Sequence, residues 1–161
     1  WKPYALDRVM VFFDPSFDPQ GAGFQVRQAA IAFGSGGLWG QGFGQSYQKF
    51  YHLPEPIGDA IFAVIGEEFG FIGASALVFL FLVFMWRSAA IAWRAPDSFA
   101  RLLGFGIGIL ITVQAFVHMG ALIGIFPLTG ITLPFISHGG SSLASTLAGV
   151  GLLLNISKHQ H

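Results

Sequence analysis

Residues 53–71, LPEPIGDAIFAVIGEEFGF, gather the side chains best able to do chemistry in this chain. Glu55 and Asp59 stand at the start of an apolar run, and Glu67 and Glu68 interrupt it where a membrane-crossing segment should carry no charge. Ionisable groups at such a depth are costly and point to function or to polar pairing. A carboxylate can act as a general base on a hydroxyl. On a straight helix begun at Pro56, Asp59 and Glu67 stand about 12 Å apart along the axis, which excludes a direct acid/base pair. Two readings of Asp59 stand together. It is a group reaching the headgroup layer, or a first-turn carboxylate satisfying free N–H groups and the helix dipole. At least one of Glu67 and Glu68 is expected to pair with a basic or polar group on another helix. Gln114 and His118, one turn apart, are expected to hydrogen-bond between helices.

A second constellation is SHGGSS at residues 137–142. It places backbone N–H groups and hydroxyls at a helix start, which favours an anion such as pyrophosphate. Close helix packing with serine capping would use the same residues. Lys49 and Arg27 are candidates to meet phosphate or to anchor at the interface. With them, Glu55, Gln28, Ser137, Gly139, Gly140, Ser141 and Ser142 are the candidate substrate contacts. The absence of cysteine excludes disulfides, thiolate zinc sites and cysteine nucleophiles. The five histidines lack paired spacing such as HExxH, so no metal site is assigned. The run GSGGLWGQGFGQS, residues 34–46, lacks the GK[ST] ending of a phosphate loop and a strand–helix frame. It reads as an irregular loop dipping Leu38, Trp39 and Phe43 into the headgroup region.

The elements that must hold these groups follow from composition. Charged residues make up 10% of the chain, against roughly 25% in a soluble domain, so lipid is the expected solvent. Eight basic residues balance eight acidic ones, which gives no case for a nucleic-acid partner. The expected fold is an all-α polytopic integral membrane protein. Residues 1–58 form an external loop with a short interfacial helix at about 24–33, presenting Val26, Ala30 and Phe33 on one face. Residues 59–161 form a bundle with spans at about 59–86, 99–124 and 141–156. Arg87, Arg94 and Arg101 surround the first connection and Lys158 follows the last span. The positive-inside rule then puts that connection and the C-terminus in the cytoplasm, and residues 1–58 outside. The start at Trp1 leads us to expect the C-terminal part of a longer polypeptide.

The runs DPQGAGFQVRQAAIAFGSGGLWGQGFGQSYQKFYHLPEPIGDAIFAVIGEEFGFIGA, RAPDSFARLLGFGIGILITVQAFVHMGALIGIFPLTGITLPFISHGGSS and LLLNIS resemble the SEDS (shape, elongation, division and sporulation) membrane proteins, closest to their cell-division branch, FtsW. The resemblance covers nearly the whole chain. It implies the last three of about ten spans and the large external loop before them, in the bacterial cytoplasmic membrane. It implies a peptidoglycan glycosyltransferase that polymerises lipid II, an undecaprenyl-pyrophosphate-linked disaccharide peptide, for septal wall synthesis. Implied partners are a class B penicillin-binding transpeptidase, other division proteins and membrane lipids. It also implies that Asp59, after the Pro-Glu motif, is the catalytic residue. A divalent cation, Mg or Mn, is expected for the pyrophosphate, with its site unknown. The rival readings are a lipid II flippase and a non-enzymatic scaffold of the division machinery.

Overall fold

A computed structural model describes residue 8, residues 10–13, residue 18, and residues 21–46 and 58–159. The described chain is helical and contains no strand. Four helices follow in order: α1 (Ala22–Gly36), α2 (Ile61–Trp93), α3 (Ser98–Leu122) and α4 (Gly140–Lys158). The last three are long and apolar enough to cross a membrane. The helix expected at 24–33 extends over fifteen residues, and its buried face is Ala29, Ala32 and Gly36. Ala30, expected on that face, is exposed. Small residues win the contact because α1 lies almost backbone to backbone on α2. A Cβ on Gly36 would come within 2.0 Å of the Gly66 carbonyl oxygen.

The largest departure from expectation lies inside α2. The helix breaks at Gly70, whose φ of 67° and ψ of −164° are open essentially only to glycine. Phe62 in the arm before the break and Val78 in the arm after it line one cavity of about 390 Å³, so the chain forms an elbow there. The break strands backbone groups that lipid would leave unsatisfied. The glycine-rich segment after α1 supplies their partners. Gln41 N–H and Gly42 N–H donate to the Glu67 and Glu68 carbonyls at 3.0 Å each. Phe71 N–H and Ile72 N–H donate to the Gly37 and Leu38 carbonyls at 2.9 and 3.2 Å. Gly40 is where the two backbones meet: its own Cβ would lie 2.2 Å from the Glu68 carbonyl oxygen. Loop 37–42 is therefore spliced into the elbow, while Leu38, Trp39 and Phe43 remain exposed.

The elbow also explains how one helix can hold Glu67 and Glu68 and still cross a bilayer. The arm after the break, residues 71–93, has 23 residues and a length of about 34 Å, enough for a hydrocarbon layer of about 30 Å. The two glutamates belong to the arm before it. α2 and α3 run antiparallel on small residues: a Cβ on Gly104 would sit 3.0 Å from the Ala92 Cβ, and one on Gly108 2.7 Å from that of Ser88. Such contacts let helices approach where no hydrophobic drive exists between them. Asp97 caps α3, its carboxylate accepting from Ala100 N–H at 2.6 Å. α4 packs Gly149 against Ile107 and Ile111. The core joins Ala29 and Ala32 of α1, Phe62 and Ala63 before the elbow, Phe81 after it, and Ile111, Ala115 and Met119 of α3. The connection from α3 to α4 folds back onto the bundle, where the Phe135 ring meets Phe84 at 6.0 Å and 66°.

Candidate functional site

Asp59 does not sit one turn into a helix. It occupies the turn at residues 58–60, ahead of Ile61, and is half-buried. The turn is tied down by Ser137, which is 9% exposed and lies in the α3–α4 connection. Its hydroxyl donates to the Gly58 carbonyl at 2.9 Å and accepts from Leu133 N–H at 2.8 Å. Ser137 thus fixes the backbone beside the carboxylate; its hydroxyl is committed to that task.

The Asp59 side chain lines a small polar cavity of about 10 Å³ with Arg8, Gln25, His118, Thr129, Gly130 and Ile131. Arg8 reaches this place by donating to the Leu128 carbonyl at 3.3 Å. Gly130, with φ of 68°, makes room for it, since a Cβ there would lie 2.8 Å from the Arg8 Nη1. His118 is 4% exposed and an electrostatic neighbour of Asp59. Its Nδ1 bonds the Ile131 carbonyl at 2.7 Å. One turn earlier, Gln114 Nε2 donates to the Thr132 carbonyl at 2.9 Å. The partners expected for Gln114 and His118 on another helix are therefore successive carbonyls of the α3–α4 connection. His118 Nε2 is buried without a partner among the described residues. Leaving a buried acceptor bare costs about 1–3 kcal/mol.

A wider, open cleft of about 480 Å³ lies on the far side of the same connection, lined by Gln114, Thr132, Ser141, Ser142 and Ser145. Gly130 and Ile131 line both hollows and so form the wall between them. Gly139 is the N-cap of α4 and Gly140 its first residue. The Ser142 and Thr132 hydroxyls bond each other at 2.7 Å across the cleft's edge. Of the remaining candidates, Arg27 is exposed on α1 and does not line either hollow. Gln28 is half-buried, with an Oε1 that has no partner among the described residues. Glu55 and Lys49 lie outside the described residues. Glu67 and Glu68 are 1% and 5% exposed; Glu67 accepts from the Ser46 hydroxyl, a polar partner from the glycine-rich loop.

Two residues at the Asp59 cavity had no signal in the sequence. Arg8 lies far before Asp59 in the chain, in a stretch without helical patterning, and Gln25 differs in no visible way from the nearby Gln28. Among the described residues no three His, Asp or Glu side chains converge as cation ligands. These residues do not form a divalent-cation site by themselves.

A turn-borne carboxylate beside a buried histidine, at one end of a bundle of apolar helices, defines a multi-pass membrane protein with a polar site near one face. The chain belongs to the FtsW/RodA/SpoVE family, described as "Cell cycle protein", which matches residues 1–161. It is 48% identical over 157 residues to Stage V sporulation protein E of Bacillus subtilis (strain 168), covering 98% of this chain and 43% of that protein. It is 49% identical over 156 residues to a probable peptidoglycan glycosyltransferase FtsW of Geobacter sp. (strain M18), covering 97% of this chain and 42% of that one. The chain thus spans about two fifths of the length of these relatives. A solved structure of a peptidoglycan synthase complex, reported for its coordination of polymerization and crosslinking, contains a chain that superposes with a TM-score of 0.74 at 32% identity. The match covers 98% of this chain and 42% of that one. The crystal structure of an aspartate-to-alanine mutant of the Thermus thermophilus Rod shape determining protein RodA superposes with a TM-score of 0.63 at 28% identity, covering 98% and 57%.

Proposed function

We propose that this chain is the C-terminal part of a glycosyltransferase that polymerises lipid II at the outer face of the bacterial cytoplasmic membrane, for septal wall synthesis. Asp59 is its general base. The observation that carries this reading is the position of Asp59, half-buried beside a small polar cavity at the end of the bundle away from the arginine-rich connection. His118, its neighbour, stands twenty residues from Ser98, about 30 Å along α3 and so about one hydrocarbon thickness from that connection. α4 has nineteen residues, about 28 Å, and runs from Gly140 at the level of the cleft to Lys158. With the arginines in the cytoplasm, Asp59 and the serine-lined cleft lie at the outer lipid–water boundary.

In the reaction the acceptor 4-hydroxyl gives its proton to the Asp59 carboxylate as its oxygen bonds the donor's anomeric carbon. The bond from that carbon to the pyrophosphate oxygen breaks, and the leaving group departs with the electron pair. An inverting displacement needs one base and stabilisation of the leaving group. Gly139, Gly140, Ser141 and Ser142 offer that stabilisation through backbone N–H groups and hydroxyls at the start of α4. Arg8, rather than Arg27, is the cation beside the base. Lys49, Glu55 and Gln28 remain proposed substrate contacts. A class B penicillin-binding transpeptidase is the proposed partner, and Mg or Mn the proposed counter-charge on the pyrophosphate, with ligands beyond the described residues. A flippase needs polar groups through the whole depth, whereas the α2 arm below the elbow is apolar except for Ser75 down to Trp86. The test is polymerisation against translocation of lipid II in liposomes holding the full-length protein and its partner. Glycan strands without translocation are expected; translocation without strands would overturn the reading.

A further inference from the structure

The role given to Asp59 leaves Nε2 of His118 unexplained. The Ile131 carbonyl can only accept, so Nδ1 carries the hydrogen of their 2.7 Å bond. A neutral imidazole protonated on Nδ1 presents a lone pair at Nε2. That atom is buried and has no partner among the described residues. The ring and Asp59 line the same cavity, whose volume of about 10 Å³ approaches the room needed by one water and excludes a sugar ring. The charged side chains lining it are Asp59 and Arg8; α1 contributes neutral Gln25, and the α3–α4 connection contributes Thr129 and backbone.

We propose that His118 is a proton acceptor behind Asp59, joined to it by a single water held in this cavity. The inference rests on Asp59 being the base. When the 4-hydroxyl has given its proton to Asp59, the resulting acid donates it to the water. The water passes one of its own protons to Nε2. Asp59 is a carboxylate again, and the imidazolium keeps its Nδ1–H on the Ile131 carbonyl. Between additions the Nε2 proton returns through the same water to solvent. A polymerase must reset its base at every sugar added, and an acceptor one water away takes the proton as soon as the hydroxyl has given it up.

The test uses the full-length protein with its transpeptidase partner, assayed on lipid II. His118→Asn puts an amide N–H where Nδ1 stands, keeping the Ile131 bond and deleting Nε2. His118→Gln reaches the Nε2 position but takes no proton. Both are expected to lower kcat about 10–100-fold, less than loss of the base itself. KM should stay within about twofold, because the water-filled cavity does not admit the substrate ring. The Asn variant should keep the wild-type melting temperature. The pH dependence of kcat should change in both variants, since no imidazole is then present to take up the proton. Wild-type kcat and pH profile in His118→Asn would overturn the relay. Slow turnover and a lowered melting temperature confined to His118→Gln would instead make His118 a tether for the connection. Asp59→Asn run alongside keeps the two ideas separate. Full activity there removes the base, whereas an inactive Asp59→Asn beside a fully active His118→Asn removes only the relay.

Discussion

Replacing Gly70 by alanine should destabilise the fold by disconnecting loop 37–42 from α2. The φ of 67° and ψ of −164° at this position cost a residue with a Cβ about 1–3 kcal/mol. The new methyl would also lie 2.4 Å from Gly40 N and 2.6 Å from the Leu38 oxygen, both backbone atoms that cannot yield by a rotamer change. Four main-chain bonds cross the break, and each contributes about 0.5–1.5 kcal/mol net. Losing two of them brings the total to about 2–6 kcal/mol. That is a large share of the 5–15 kcal/mol by which a domain is typically stable, as an order of magnitude. Thermal melting of the detergent-solubilised full-length protein, followed by size-exclusion chromatography, should show a clearly lowered midpoint. Gly106→Ala is the control: a Cβ there meets nothing within 4 Å, and alanine favours a helix. Equal midpoints for Gly70→Ala and Gly106→Ala would refute the spliced elbow.

Further expectations follow from single contacts. Ser137→Ala leaves Leu133 N–H without its partner and releases the Gly58 carbonyl, so stability should fall by about 1–3 kcal/mol and kcat should fall with it; a melting curve and a polymerisation assay at wild-type values would count against Ser137 as the tether of the Asp59 turn. Gly108→Val drives a side chain into Ser88 and should cost about 1–3 kcal/mol or more, read as a lowered yield of folded protein. Glu67→Gln keeps an acceptor for the Ser46 hydroxyl and should lower activity less than Asp59→Asn does; equal losses would place both acids in one site.

What the sequence could disclose was what composition and periodicity encode. Apolar runs, the arginine-rich connection and the resemblance to SEDS proteins led to an all-helical membrane fold, and α3 and α4 lie within a few residues of the spans expected at 99–124 and 141–156. The elbow was hidden because Gly70 differs from Gly66 and Gly73 only through what packs on it: the backbone of a loop thirty residues earlier. For the same reason Asp59 and Glu67 were set on one straight helix. The partners of Gln114 and His118 were misassigned because they are backbone carbonyls, which any residue supplies. On α1, Phe33 of the expected face packs on Phe62, whereas Ala30 is exposed because close packing on α2 selects Ala29, Ala32 and Gly36.

The measurement that bears most directly on Asp59 as the base is polymerisation of lipid II by the purified full-length protein with its transpeptidase partner, comparing wild type with Asp59→Asn. The amide keeps the shape of the side chain and cannot take the 4-hydroxyl proton. Loss of glycan strands with an unchanged melting temperature is the predicted result; strands formed at the wild-type rate would contradict it.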